Sequence, residues 1–383
     1  MMGKKGKALS FFLVVCFLFS SNSARAGTLF EGESIETGAG FPAIYKFIAG
    51  DKDKPLLVMV PGAHHSARIF YGGHKGAVPQ DFVAHWLVKK GYNVLALSYP
   101  IGLADPAIET NHPDFNVTAW GKQAAELAEK AMKDHGLKND VILLGWSMGG
   151  KIPSSAYKAM KDKGLNLDFY IALTATAPMP GMIASGREFP MLDSGYAERH
   201  SSFAGWFKQV AVQGKKEGHE IIPEKIYMSQ YVGDISIGQQ GYGQIYKDGK
   251  FVTDLIATQQ DMSSHDYGNF PLVGVVAPSG RGDSRHAIVD VASWSFYNAN
   301  TIYKRYLKGN KVSPAKLSDA QWQGLLDVSE NIGSRLLERV EGNHFFFVGE
   351  DGARATANAI ERIERKVDAV KSELTTHLGV HIQ

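Results

Sequence analysis

One serine in this chain is set where its hydroxyl could act as a nucleophile. Ser147 lies in the stretch Val141-Ile142-Leu143-Leu144-Gly145-Trp146-Ser147-Met148-Gly149-Gly150, and no other serine has glycine both two residues before and two after it. Four aliphatic residues bounded by glycine predict a strand buried on both faces, and the run from Ser154 to Lys161 predicts a helix after it. A sharp strand-to-helix turn forces its apex residue into strained backbone angles, and glycine at 145 and 149 removes the Cβ atoms that would collide there. Such a turn lifts the serine Oγ out of the sheet. It also points the first free N–H groups of the helix, beginning with that of Met148, at a site of developing negative charge. The chemistry on offer is attack on a carbonyl carbon with stabilisation of the oxyanion. The competing reading is a helix-capping serine that meets the glycine spacing by accident.

The elements that would have to hold this turn follow from periodicity. Leu56 to Val60 and Tyr92 to Pro100 read as buried strands, with apolar residues at helical spacing over Asp81–Lys90 between them and Gly91 as a stop. Strand, helix and strand in succession imply a parallel sheet with right-handed crossovers, preceded by edge strands around Gly40–Ile48. A long helix over Val117–Gly136 leads into the serine strand, and Leu167–Ala175 is the next strand. No carboxylate stands at the C-terminal end of that strand. Between Gly181 and Asn269 the strand–helix rhythm lapses, and Lys247-Asp248-Gly249-Lys250 marks a hairpin. That segment is too long for a loop and predicts a cap over the strand ends. Its aromatic and methionine side chains, Trp206, Tyr227, Met228 and Tyr242 among them, suit either a substrate pocket or a small core of the cap itself. Pro271–Ala277 and Leu336–Val340 return to the strand pattern, with helical spacing over Ile288–Leu307, Ala320–Val328 and Ala353–Val370.

The G-x-S-x-G turn, in this strand-turn-helix context, resembles the nucleophile elbow of the α/β-hydrolase family. The resemblance extends over most of residues 40 to 370 and is weak between 181 and 269. It implies an α/β-hydrolase fold, a mostly parallel sheet with helices on both faces. The core would be formed by residues 27–180 and 270–383 and an inserted cap by 181–269. It further implies that Asp283, on the glycine-containing loop Pro278–Ser284, is the acid of a Ser-His-Asp triad, with Asp290 and Asp266 behind it. His344, on the loop after the last strand, would be the catalytic base. The order Ser147, Asp283, His344 is that of the family. The family's second oxyanion donor comes from a His-Gly-x loop after the strand that here ends in Pro61-Gly62-Ala63. Proline has no N–H to give, so the donor here is Ala63, with His64 as fallback. Ser98 stands where the family often has aspartate, a second departure. Serine at the elbow, rather than aspartate, disfavours dehalogenase and epoxide hydrolase chemistry.

His64 and His65 are also candidate ligands or acid–base groups, but adjacent side chains point apart and no carboxylate cluster accompanies them. No metal or organic cofactor is required by the implied mechanism, and no dinucleotide-binding glycine motif follows the first strands. The chain has 383 residues, 44% of them hydrophobic, and a formal charge of +2, so neither disorder nor a concentrated basic face for nucleic acid is indicated. Lys4, Lys5 and Lys7, an apolar run from Leu9 to Phe19, and Ala24-Arg25-Ala26 make up the parts of a secretory signal peptide, residues 1–26. Cleavage there would remove four basic residues and no acidic one, moving the formal charge from +2 to −2. It would also remove the only cysteine, Cys16, and leave no stable membrane anchor. The expected activity is hydrolysis of a small-molecule ester by an exported enzyme. An acyltransferase or perhydrolase on the same triad, and a non-catalytic binding protein on the same fold, are the alternatives. Acyl length, alcohol part and oligomeric state are not legible.

Overall fold

The computed structural model describes residues 28–179 and 188–382. The expected signal peptide at 1–26 and the first residues of the expected cap lie outside them.

Eight strands form one sheet: β1 (Glu33–Gly38), β2 (Phe41–Ile48), β3 (Leu56–Val60), β4 (Asn93–Ser98), β5 (Val141–Trp146), β6 (Leu167–Leu173), β7 (Leu272–Pro278) and β8 (Leu337–Val340). Their spatial order is β1-β2-β4-β3-β5-β6-β7-β8. β1 and β2 pair antiparallel, as do β2 and β4, and every other neighbouring pair is parallel. Strands buried on both faces carry no polar alternation, and β3, β4 and β5 are buried at every residue. Alternate side chains serve two separate apolar layers. Leu57, Met59, Ile142, Leu144, Phe169 and Ile171 point into one, and Leu56, Val58, Val60, Leu143, Tyr170 and Ala172 into the other.

Helices cover both layers. On the first lie α1 (Val83–Lys89), α6 (Asp319–Arg335) and the long α7 (Glu350–Leu378), the last through Ile360, Ile363, Val367 and Leu374. On the second lie α2 (Val117–His135), α3 (Pro153–Asp162) and α5 (Ser284–Thr301), which bring Trp120, Met160 and Trp294 against the strands. α7 is longer than the helical spacing over 353–370 implies. It continues to Leu378 because Val370, Leu374 and Leu378 extend its apolar stripe by two turns.

The strand order locates a crevice. From β3 the chain goes outward to β4 and then returns to β5 on the opposite side of β3, so the connections leaving the C-terminal ends of β3 and β5 diverge. Open α/β sheets bind ligands at such a reversal. The loop Pro61–His65 and the turn at Ser147 are those two connections.

Residues 188–269 add no strand to the main sheet. They contain α4 (Phe203–Glu217) and the expected hairpin, Gln244–Lys247 paired with Lys250–Thr253. The segment lies against the loop after β3, where Gly233 N–H donates to His64 O at 2.9 Å and Val232 bridges to His65. Its apolar side chains divide. Phe203, Trp206, Phe207 and Met228 join the main core, whereas Tyr242, Tyr246 and Phe251 pack on Phe189, Ala197 and Ile237 in a satellite cluster. No helix among the described residues is long and apolar enough to cross a membrane.

Candidate active site

Ser147 follows the last residue of β5 and has φ 53°, a left-handed conformation that costs a non-glycine residue on the order of 1–3 kcal/mol. Backbone packing enforces it. A Cβ on Gly145 would lie 1.9 Å from the Tyr170 hydroxyl and 2.8 Å from the Gly149 backbone. A Cβ on Gly149 would meet nothing closer than 3.3 Å, so the expected need for glycine there is weak. The demanding position is the next one: a Cβ on Gly150 would sit 2.3 Å from Thr176 O. The serine opens a 3₁₀ turn, Ser147–Lys151, and α3 begins only at Pro153. Met148 N–H is therefore among the donors that have no partner within the turn.

His344 stands on the loop after β8 and Asp283 on the loop between β7 and α5. The His344 Nδ1 to Asp283 Oδ2 distance is 2.7 Å, with the two side chains 15% and 9% exposed. A carboxylate can only accept, so the proton sits on Nδ1 and Nε2 presents its lone pair. Thr174 Oγ1 donates to the same Asp283 oxygen at 2.7 Å. Burial pushes the Asp283 carboxyl up, but the hydrogen bond and charge of His344, the charge of His286 and the Thr174 hydroxyl outweigh it and hold the group at about 2. For His344, burial is the largest influence and pushes the ring below 6.5 against the opposing pull of Asp283.

The histidine loop is clasped from the inserted segment. Gln209 on α4 accepts from His344 N–H at 3.3 Å through its side chain and from the Asn343 amide at 2.9 Å through its carbonyl. Gln213 donates to Asn343 Oδ1 at 3.1 Å. From the other side the Trp146 indole donates to His344 O at 3.2 Å, its ring 5.3 Å from the imidazole. Ser147, Met148, Ala63, Asp283 and His344 all line one cavity of about 380 Å³. Among the described residues no hydrogen bond joins Ser147 Oγ to the imidazole, and such contacts often tighten only with substrate bound.

The two adjacent histidines after β3 take structural places. The His64 ring is fully buried, bonded to Gly233 O at 2.8 Å and Gln240 Nε2 at 2.9 Å, away from the cavity. His65 reaches the cavity wall, but both its ring nitrogens are engaged, Nδ1 with Ala63 O at 2.8 Å and Nε2 with the Tyr227 hydroxyl at 2.7 Å. Burial drives it down to about 3, so it is neutral. The His65 N–H donates to the Tyr99 hydroxyl at 3.1 Å, and of the two donor candidates on this loop Ala63 lines the cavity and His64 does not. The other two aspartates lie elsewhere. Asp266 pairs with Lys158 at 3.2 Å, while Asp290 is buried behind the site with both carboxylate oxygens 3.0 Å from His286 Nδ1. Ser98, at the other departure, accepts from Ala67 N–H at 2.7 Å and steadies the helix after the His65 loop.

Three residues here had no signal in the sequence: Thr174, His286 and Gln209. Thr174 occupies the strand end that lacks a carboxylate and anchors the acid instead of supplying it. The donor atoms of Asp283, His286 and His344 lie within 4.8 Å of one another, a set that could also hold a metal ion.

No functionally curated protein sequence matches the chain. Among solved structures it is similar to a hyperthermophilic esterase from the archaeon Pyrobaculum calidifontis, at 15% identity over 88% of this chain and 83% of that one, with a TM-score of 0.42. It is also similar to Est1E from Butyrivibrio proteoclasticus, at 12% identity over 88% of this chain and 99% of that one, with a TM-score of 0.39. Likeness so distant carries no information on substrate. The sequence pattern of the alpha/beta hydrolase family, in contrast, matches residues 57–297, more than half of the chain, and the protein belongs to that family.

Proposed function

We propose that the protein is a serine hydrolase of carboxylic esters, acting through an acyl-enzyme. The observation that carries this reading is the His344–Asp283 pair, 2.7 Å apart, on the wall of the cavity that also holds a strained serine at a strand end. His344 Nε2 takes the proton of Ser147 as the hydroxyl oxygen bonds to the ester carbonyl carbon. Asp283 stabilises the imidazolium that results. The N–H groups of Met148 and Ala63 receive the oxyanion, each donor contributing on the order of 3 kcal/mol. Collapse of the tetrahedral intermediate expels the alcohol, which takes the proton back from His344. Water activated by the same ring then releases the acid. Residues 188–269 serve as the cap, supplying Trp206 and Tyr242 to the cavity and Gln209 to the histidine loop.

A fluorophosphonate probe tests the nucleophile. One adduct per chain is expected by intact mass, mapped to Ser147 by peptide digestion. An unlabelled protein, or a label on another residue, would overturn the proposal. Export is part of it, and N-terminal sequencing of native material should then begin near Gly27. A native chain retaining Met1 rules out cleavage.

The pH profile follows from the same pair. Catalysis needs neutral His344, and burial lowers its protonation range below 6.5. Activity is therefore present above that range and lost as pH falls through it, while Asp283 stays ionised down to about 2. The acid limb of kcat/KM should have its midpoint below pH 6.5, a value belonging to the coupled pair. A midpoint above pH 7 contradicts the assignment of His344 as base.

A further inference from the structure

A hydrogen-bond donor on the wall of the Ser147 cavity is left without an acceptor. Gln209, on α4, lines the cavity and touches the histidine loop twice. Its backbone carbonyl accepts from the Asn343 amide at 2.9 Å, and its side-chain oxygen accepts from His344 N–H at 3.3 Å. A backbone N–H can only donate, so Oε1 must face it, and the amide cannot be turned end for end without losing that bond. Nε2 is thereby directed away from the His344 N–H. It meets no acceptor among the described residues, and it is not buried.

Its polar neighbours on the wall are committed elsewhere. Gln240, the second amide there, is used at both ends: Nε2 donates to His64 Nε2 at 2.9 Å and Oε1 accepts from Arg199 at 3.5 Å. The Trp146 indole donates to His344 O, and the His65 ring is engaged at both nitrogens. The N–H groups of Met148 and Ala63 are reserved for the oxyanion. An amide fixed at its oxygen and open at its nitrogen suits an acceptor oxygen on the ligand. A site with such a donor discriminates against the analogue that lacks the oxygen, because the donor then goes unpaired in the closed complex. At about 380 Å³ the cavity is at the small end of ligand sites, which keeps that oxygen close to the scissile bond.

We propose that Gln209 determines specificity: its Nε2 donates to an ether, hydroxyl or carbonyl oxygen that the substrate carries near the scissile ester. The inference rests on the esterase reading for the reaction and on the Gln209 amide for the preference. The new bond runs through the amide to His344 N–H, and hydrogen bonds linked in this way strengthen one another. An oxygen-bearing ester therefore tightens the hold of α4 on the loop that carries the base. A plain alkyl ester does not.

Matched esters that differ by one oxygen test this. On the acyl side p-nitrophenyl methoxyacetate is set against p-nitrophenyl butanoate, and on the alcohol side 2-methoxyethyl acetate against butyl acetate. The extra oxygen activates each ester by itself, so the quantity read is the change in the kcat/KM ratio between parent and variant, in which that intrinsic difference cancels. Gln209→Glu keeps an acceptor for His344 N–H and loses the donor, whereas Gln209→Met loses both. Each should lower the ratio of oxygen-bearing to alkyl ester in one of the pairs by about threefold to tenfold, the worth of one neutral hydrogen bond. Gln213→Met loosens the same loop from a position off the cavity wall and should leave both ratios as they are in the parent. Ratios that neither Gln209 variant changes overturn the proposal. So does an equal change in Gln213→Met, since Gln209 would then act only through the loop.

Binding is read separately on Ser147→Ala, which needs no turnover. With isotope-labelled glutamine side chains observed by NMR, the Gln209 amide resonance is identified by its disappearance in Ser147→Ala/Gln209→Glu. It should move downfield with 2-methoxyethyl methoxyacetate and stay in place with butyl butanoate. A resonance that responds alike to the two, or to neither, overturns the inference whether or not ester is cleaved. Failure of the esterase reading has a different signature: no turnover of any of the four assay esters and no labelling of Ser147.

Discussion

Replacing Ser147 with alanine should leave a protein that melts like the parent but has lost about 10⁶-fold in ester turnover, some 8 kcal/mol of barrier. The two halves of that expectation have different causes. Turnover falls because no other side chain on the cavity is placed at the turn where a hydroxyl oxygen can reach a carbonyl over the Met148 N–H. Stability holds because the Ser147 hydroxyl makes no hydrogen bond among the described residues, and alanine bears the same left-handed φ of 53° at the same cost. Ser147→Gly sharpens the test. Glycine occupies that region without penalty, so this variant should exceed Ser147→Ala in stability by about 1 kcal/mol while being equally inactive. Thermal melts and initial rates on a short-chain ester are the measurements. A folded Ser147→Ala protein within a few-fold of parental turnover would remove the serine from the mechanism.

The serine turn was legible in the sequence because its constraints are local. A buried parallel strand needs a continuous apolar run, and Val141–Leu144 is one. The turn after it needs backbone without Cβ, and glycine shows that directly. The position of the need was misjudged by one residue: the close approach is to Thr176 O, on the neighbouring connection, and it falls on Gly150 rather than Gly149. Spacing along one strand cannot register a backbone that comes from another.

The same limit explains what was missed around the acid and base. Thr174, Asp283 and His344 meet through three different loops, and a threonine at a strand end is unremarkable until the carboxylate beside it is seen. Gln209 and Gln213 clasp the Asn343–His344 loop from more than a hundred residues earlier in the chain, within a segment where no strand–helix rhythm offered guidance. For His64 and His65 the argument against a ligand role was available locally, since adjacent side chains diverge and no carboxylate cluster accompanies them. Two imidazoles at a strand end suit ligand chemistry, but here both pack inward, their nitrogens satisfied by Gly233, Gln240, Ala63 and Tyr227. Hydrophobic pattern fixes which strands are central. It is silent on which polar side chains those strands bring together.

The acid assignment gives the second large effect. Asp283→Asn should fold and should lower turnover by roughly 10⁴-fold, with little change in substrate binding. The loss follows from the proton inventory at one atom. With aspartate at 283, His344 Nδ1 donates to Oδ2 and Nε2 is free to take the serine proton. An asparagine amide can turn its NH₂ toward Nδ1, which then accepts, and the ring proton moves to Nε2, where the ring can no longer act as base. The missing carboxylate also leaves the transient imidazolium unpaired in a site only 15% exposed at the histidine. Asp266→Asn should be nearly silent, since its partners are Lys158 at 3.2 Å and Asn269 at 2.9 Å, away from the Ser147 cavity. Asp290→Asn disturbs His286, whose ring lies 5.0 Å from that of His344, and should cost a small factor on an uncharged ester. All three variants are compared on one such ester at one pH, with melts recorded for each. If Asp283→Asn is folded and keeps near-parental turnover while Asp290→Asn carries the large loss, the acid role passes to the buried pair behind the site. The Ser147 and His344 roles would survive that outcome, because neither depends on which carboxylate holds the ring.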